Sequence, residues 1–205
     1  MEFLALDFET ATSVHDSACE LGIAVVRDGL VREVHNWMIK PRCWPHFSPW
    51  NIAVHGIRPD EVATAPRWEE IWEEIAAVID GRTIVAHNAA FDMSVLRSTL
   101  ASHGLPHPTF EYFCSVGMSK RIWPGMPKYD LKTLCALHRI ELRHHRASHD
   151  ARATAELVIR ATAGYPRMKM CDLLQALKVK TGSFYPGGHR TPGGKVTTVP
   201  FATYA

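Results

Sequence analysis

Asp7 and Glu9 stand two residues apart in the run Phe3-Leu4-Ala5-Leu6-Asp7-Phe8-Glu9. In an extended strand that spacing sends both carboxylates out of one face, while Leu4, Leu6 and Phe8 fill the other. Adjacent carboxylates repel unless a cation lies between them, so the pair suggests a metal site. Alone the signal is weak, since roughly half to one Asp-x-Glu is expected by chance in a chain of this length. A third acid, Asp92, follows His87-Asn88-Ala89-Ala90-Phe91, where an apolar strand hands over to a helix. Carboxyl ends of strands are where open α/β sheets place their sites.

His145 and Asp150 are five residues apart and on one continuous helix would diverge by about 140°. They converge if His145 lies in the approach loop and Asp150 in the first helical turn, an arrangement that Ser148 as N-cap would produce. Four acids that share one cleft, all hard oxygen ligands with no cysteine among them, point to Mg²⁺ or Mn²⁺. Two such ions form a clamp for in-line attack on a phosphodiester. A neutral histidine is the natural base for the attacking water. His145 and His149, four apart, also allow a zinc reading; no H-E-x-x-H is present, and the neighbouring acids suit a harder ion.

The elements that must position these groups follow from hydrophobic pattern. Residues 2–9 form a strand ending in carboxylates, and Leu21–Val26 and Val31–Lys40 form two more around the hairpin signal Arg27-Asp28-Gly29. Residues 41–58, rich in Pro, Trp and His, read as a loop. Trp68, Ile71, Trp72, Ile75 and Ile79 recur at helical spacing and predict an amphipathic helix with both tryptophans in the core. Thr83–His87 is a short buried strand, Phe91–Leu100 a helix that Gly104 ends, and Phe110–Ser115 another strand. Asp130 caps a helix through Leu137, and Ser148 one that runs to about Ala163. Three meandering strands followed by strand–helix alternation predict a mixed sheet flanked by helices. A short helix is expected over Met170–Val179. Gly182–Gly194, with five glycines and two prolines in thirteen residues, reads as a loop or mobile tail.

Composition bounds what the chain can be. At 205 residues, 46% hydrophobic and 21% charged, it can bury a sizeable core and is not intrinsically disordered. No apolar run approaches the ~18 residues of a membrane span, and no secretory signal is visible. Five scattered cysteines, never in a C-x-x-C, argue against a disulfide framework, so a reducing cytoplasm is the expected setting. The formal charge of +2 divides unevenly. From Gly164 onward six basic residues face one acidic residue, a formal +5, which leaves −3 for residues 1–163. Such a basic tail can hold a phosphate backbone against an acidic body.

Taken together, these segments resemble the DEDDh group of 3′–5′ exonucleases, a ribonuclease H-like family that includes the proofreading epsilon subunit of bacterial replicative DNA polymerase. The first family motif matches Leu6-Asp7-Phe8-Glu9-Thr10, and the second matches His87-Asn88-Ala89-Ala90-Phe91-Asp92. The third, H-x-A-x-x-D-A, matches His145-Arg146-Ala147-Ser148-His149-Asp150-Ala151. Val54-His55-Gly56-Ile57 is similar to the segment that packs on the 3′-terminal nucleotide. The wording Asp-Phe-Glu-Thr-Ala and Phe-Ser-Pro-Trp-Asn-Ile is closest to stand-alone bacterial exonucleases.

The resemblance implies a mixed five-stranded sheet, with residues 1–163 as the exonuclease domain and 164–205 as a basic extension. It also implies two Mg²⁺ or Mn²⁺ ions held by Asp7, Glu9, Asp92 and Asp150, with His145 as general base. Nucleoside 5′-monophosphates would leave from a single-stranded 3′ end, DNA being favoured. Phe8, Thr10, His55, Ile57, Asn88 and Phe91 would line the nucleotide pocket. Thr10 is followed by Ala11-Thr12, where proofreading members carry glycine, which weighs against a polymerase partner. An exoribonuclease acting on RNA ends, and a binding module that keeps the fold without catalysis, remain as alternatives.

Overall fold

A computed structural model of the chain describes residues 1–198. β1 (Phe3–Thr10), β2 (Ala18–Arg27) and β3 (Leu30–Met38) form the antiparallel meander. Asp28 and Gly29 both take positive φ at the β2–β3 turn, the backbone that a tight two-residue hairpin requires. α1 (Pro49–His55) and α2 (Trp68–Ile79) follow, and then β4 (Thr83–Ala86) pairs parallel with β1. α3 (Ala90–His103) crosses over to β5 (Phe110–Cys114), which is parallel to β4. Four helices come next: α4 (Ser115–Ile122), α5 (Leu131–His138), α6 (Ala147–Thr162) and α7 (Met170–Ala176). Three short antiparallel strands finish the sheet, β6 (Thr181–Tyr185), β7 (Gly188–Arg190) and β8 (Val196–Thr198).

The strand order is β3-β2-β1-β4-β5-β6-β7-β8. β1 lies inside and is covered on both faces. Leu4, Leu6 and Phe8 pack under α2 with Trp68, Trp72 and Ile75. Phe3 and Ala5 pack against Ala151, Ala155 and Val158 of α6. Each large aliphatic side chain removed from water here contributes about 1.5–3 kcal/mol. The alanines of α6 leave its backbone close to the sheet, and that closeness positions the site.

Several expectations need correction. Among the described residues the mixed sheet has eight strands, because Gly182–Gly194 builds β6 and the β6–β7 hairpin instead of a tail. Gly182 is demanded by packing: a Cβ there would run into the ring of Tyr112. Within 41–58, Pro49 starts the seven-residue helix α1, which Gly56 ends in the left-handed conformation. α4 carries no strong periodic signal and was not anticipated. The N-cap of α6 is Arg146 and not Ser148, which lies inside the helix. Asp130 does cap α5, accepting from the Thr133 N–H at 2.9 Å. All five cysteines are free. Among the described residues no helix is long and apolar enough to cross a membrane.

Candidate active site

The strand alternation read from sequence holds, so Asp7 and Glu9 leave β1 on the face covered by α6. Directly across from Asp7 on β2 sits Gly22. A Cβ at Gly22 would occupy the backbone of Ala147 and Ser148. Glycine there lets the first turn of α6 lie on the sheet, which brings Asp150 to Asp7 and Glu9. Carboxylate oxygens of these three residues lie within 4.8 Å of one another.

Two further contacts fix the start of α6. Glu20, fully buried on β2 and paired across from Glu9, accepts the Ala147 N–H at 3.0 Å. Its other oxygen takes the Arg146 guanidinium at 3.0 Å. A buried carboxylate thus satisfies an orphan donor of the helix N-terminus and neutralises Arg146.

His145 stands just before α6 with φ of 67°, a turn that aims its backbone N–H inward. That N–H and Nδ1 of His144 both approach Oδ2 of Asp150 at 2.9 Å. Oδ1 of Asp150 is buried with no partner. The two imidazoles stack with centroids 3.8 Å apart. His144 is therefore the ring that touches Asp150, a contact sequence reasoning missed because two adjacent histidines cannot be told apart by motif alone. His149 is exposed on α6, away from this cluster.

Asp92 enters from α3, one turn after Asn88 takes a left-handed φ of 66°. Buried to 1% exposure, it accepts the Phe8 N–H at 3.1 Å, which ties α3 to β1 beside the acids. His87 is held neutral and fixed: Nδ1 accepts from the Ser115 hydroxyl at 2.8 Å, and Nε2 donates to the Tyr129 carbonyl at 3.0 Å. Burial pushes its pKa down to about 4.

These residues line an open cavity of about 480 Å³. Thr10, His55 and Phe91 share its wall with Trp50, Asn51 and Val54 of α1. Asn51 donates to the Thr10 carbonyl at 2.8 Å. His55 accepts the Ile57 N–H on Nδ1 at 3.0 Å, so its Nε2 carries the proton and donates to the Thr10 carbonyl at 3.1 Å. Both ring nitrogens of His55 thus serve to pin α1 to the end of β1. Trp50 (79% exposed) and Phe91 (36%) present aromatic faces at the mouth.

Phe8 lines the cavity, with its ring buried against Trp68. Two expected lining residues depart from that role. Ile57 is fully buried with Ala11, Cys19 and Val62, because the left-handed Gly56 turns the chain inward after α1. Asn88 is exposed and lies outside the lining, spent on the turn into α3.

The electrostatics call for a cation. Burial pushes the Glu9 and Asp92 carboxyls up to about 8, with the neighbouring acid Asp150 adding to the rise in both. Asp7 is raised well above the usual carboxylate range, by burial first and then by Asp92, Asp150 and Glu9. Arg146 is the cation that offsets Glu9. The donor set fits a hard divalent ion: oxygen ligands, a carboxylate oxygen with no partner, and several acids resisting ionisation together.

One pH dependence follows. In EDTA the folded chain keeps protons on Glu9, Asp92 and Asp7 that the unfolded chain has released by about pH 5. Stability should therefore fall as pH rises from about 5 to 8. Added Mn²⁺ should raise the melting temperature more at pH 8 than at pH 5.5, since ligation requires the ionised carboxylates. A metal-free melting curve that is flat over this window would contradict the shared burial of these acids.

Comparison with known proteins agrees with the geometry. The Exonuclease (RNase_T) family profile matches residues 4–158. A DNA polymerase III PolC-type of Caldanaerobacter subterraneus subsp. tengcongensis is 29% identical over 187 residues, 89% of this chain and 12% of the polymerase. A 3′-5′ exonuclease DinG of Staphylococcus saprophyticus is 29% identical over 176 residues, 84% of this chain and 19% of that protein. The chain thus spans less than a fifth of the length of these two relatives. Among solved structures, exonuclease X in complex with 5′ overhanging duplex DNA is 28% identical with a TM-score of 0.67, covering 83% of this chain and 98% of that one. The nuclease domain of 3′hExo, a DEDDh family member bound to rAMP, shares the fold at 12% identity and a TM-score of 0.73, over 82% of this chain and 94% of that one. The fold is the mixed α/β, ribonuclease H-like architecture of these nucleases.

Proposed function

Since the chain belongs to the Exonuclease (RNase_T) family, we propose that it is a 3′–5′ exonuclease acting on single-stranded nucleic acid ends, with DNA favoured. One observation carries this reading: the carboxylates of Asp7, Glu9 and Asp150 converge within 4.8 Å beside a half-exposed histidine, in a cavity of about 480 Å³. Asp7, Glu9, Asp92 and Asp150 hold two Mg²⁺ or Mn²⁺ ions. Such ions supply Lewis acidity and neutralise charge on the phosphodiester.

His145 takes the proton from the attacking water. Among the described residues its ring makes no hydrogen bond, and burial together with His144 lowers its pKa, which leaves it neutral and able to accept. The water oxygen bonds to phosphorus as the bond from phosphorus to the 3′ oxygen breaks, and a nucleoside 5′-monophosphate departs. Thr10, His55 and Phe91, joined by Trp50, frame the terminal nucleotide. A base on an aromatic face is held without regard to its identity, which suits stepwise removal. α1, pinned to Thr10, walls the cavity at the end of β1 and supports a chain end as the occupant. The exonuclease unit comprises residues 1–163, and the extension 164–205 is a basic addition to it; the family match over 4–158 supports that division.

The test is a time course on 5′-labelled single-stranded DNA beside the matching RNA, in Mg²⁺, Mn²⁺ or EDTA. A ladder shortening from the 3′ end and absent in EDTA is expected, faster on DNA. Internal cuts, loss of the 5′ label, or no cleavage in either metal would overturn the reading. A faster RNA ladder would move the substrate class to RNA ends.

A further inference from the structure

The basic residues after Gly164 part company in the structure. α6 runs from the acidic cleft to the far end of the sheet, and α7 runs back. Arg167 and Lys169 stay at the far end, beside Met168 and Met170, which pack with Met1 and Phe3. Lys180 precedes β6, whose Thr181 pairs with Phe113, one residue before the Cys114–Ala86 pair. Arg190 and Lys195 flank the β7–β8 turn, which points toward that same end; by register they lie level with Thr83 and Ile84 of β4, three to four residues short of it. This is the end at which Asp7 and Glu9 leave β1 and Asp92 follows β4. Across the sheet, the carboxylates at β1 and β4 are therefore followed by Lys180 at that end, with Lys195 and Arg190 set back along β8 and β7 beyond it.

The cations are available. Among the described residues the Lys180 and Lys195 ammonium groups have no ion-pair or hydrogen-bond partner, and both residues are exposed. Arg190 gives one N–H to the Thr181 carbonyl at 3.2 Å. Lys180, Arg190 and the turn residues Gly193 and Gly194 border a second cavity, of about 510 Å³, between α7 and the sheet. Glu111 stands on its floor, two strands from Arg190. At ~4.8 Å per strand across and ~3.3 Å per residue along the sheet, these cations lie about 14–26 Å from the carboxylate end of β1. With phosphates ~3.4 Å apart on a stacked strand, that distance is about four to eight phosphates.

We infer that Lys180, Arg190 and Lys195 form a phosphate-gripping rail for the substrate strand, several nucleotides upstream of the end held at the carboxylates. The inference rests on the exonuclease reading for its direction, and the experiment separates the two. Binding of a long oligothymidylate and of a dinucleotide is measured by fluorescence anisotropy in EDTA across a salt series. Three proteins are compared: the parent, Lys180→Ala/Lys195→Ala, and the charge-matched Arg167→Ala/Lys169→Ala. Hydrolysis of the p-nitrophenyl ester of thymidine 5′-monophosphate in Mn²⁺ reports the carboxylate site alone.

Removing Lys180 and Lys195 is expected to lower the salt slope for the long strand by about 1.4 and its affinity about 25-fold at 0.1 M salt. Dinucleotide binding and ester hydrolysis should not change, and the Arg167/Lys169 pair should leave everything as in the parent. An unchanged slope after loss of Lys180 and Lys195, or equal losses from both pairs, would overturn the rail. Absence of ester hydrolysis in the parent would instead count against the exonuclease reading, while the binding comparison still decides the rail.

Discussion

Asp7→Asn and Asp150→Asn are each expected to reduce turnover of a single-stranded oligonucleotide by about 10³-fold or more, with the fold intact. Both substitutions keep the side-chain shape, and an amide oxygen at position 150 can still accept from the His145 N–H and His144 Nδ1, which lie 2.9 Å from Oδ2. What is lost is one negative charge from a cluster whose oxygens lie within 4.8 Å. Stabilisation of transition-state charge at such centres is worth several kcal/mol, and each 1.4 kcal/mol is tenfold in rate. Calorimetric titration with Mn²⁺ should show the same loss as weakened binding. His145→Ala provides the contrast: Mn²⁺ binding persists, and the rate falls about 10²–10⁴-fold. Full Mn²⁺ affinity in Asp150→Asn would remove that residue from the ligand set. A near-normal rate in His145→Ala would transfer the proton acceptor to the stacked His144.

Gly22→Ala should damage both stability and catalysis although residue 22 touches no substrate. The added Cβ meets the main chain of Ala147 and Ser148, which cannot yield as a side-chain tip would. Overpacking of this kind costs about 1–3 kcal/mol and more against rigid backbone, which corresponds to a melting temperature lower by about 6–12 °C at the upper value. Protein that still folds must push out the first turn of α6 and carry Asp150 and His145 from Asp7. A displacement near 1 Å is enough for about a hundredfold loss of rate. Gly117→Ala is the control, because its Cβ would meet nothing within 4 Å. Thermal denaturation with single-turnover rates on the three proteins checks the contrast. A Gly22→Ala protein with parental melting temperature and rate would show that α6 does not need this close approach.

The chemistry was legible in the sequence wherever local period and element ends determine geometry. Asp7 and Glu9 declared their shared face through the alternation with Leu4, Leu6 and Phe8. His145 and Asp150 could meet only across a loop–helix junction, and they do. What sequence could not show depends on distant partners. Glu20 and Arg146 are 126 residues apart in the chain, and their ion pair exists only because α6 settles on β2. Gly22 in a strand reads as a weak point until the helix above it is known. Glycines at 182, 187, 188, 193 and 194 imitate a flexible tail, although Gly182 is required by the Tyr112 ring. Ile57 shows the limit of carrying a motif across: the matching segment is present, yet the chain after Gly56 turns its side chain into the core.

The added strands have a consequence for colloidal behaviour. β5 is only five residues long and carries Phe110, Tyr112 and Phe113; without β6 its hydrogen-bonding groups would face water as an apolar seam. In the folded chain that exposed margin has moved out to β8, three residues long, while at the opposite margin β3 bears Arg32, Glu33 and His35. Short or charged margins resist stacking of one sheet onto another. The appendage that carries the positive charge thus also acts as a selvedge, keeping concentrated copies of the molecule from knitting together edge to edge.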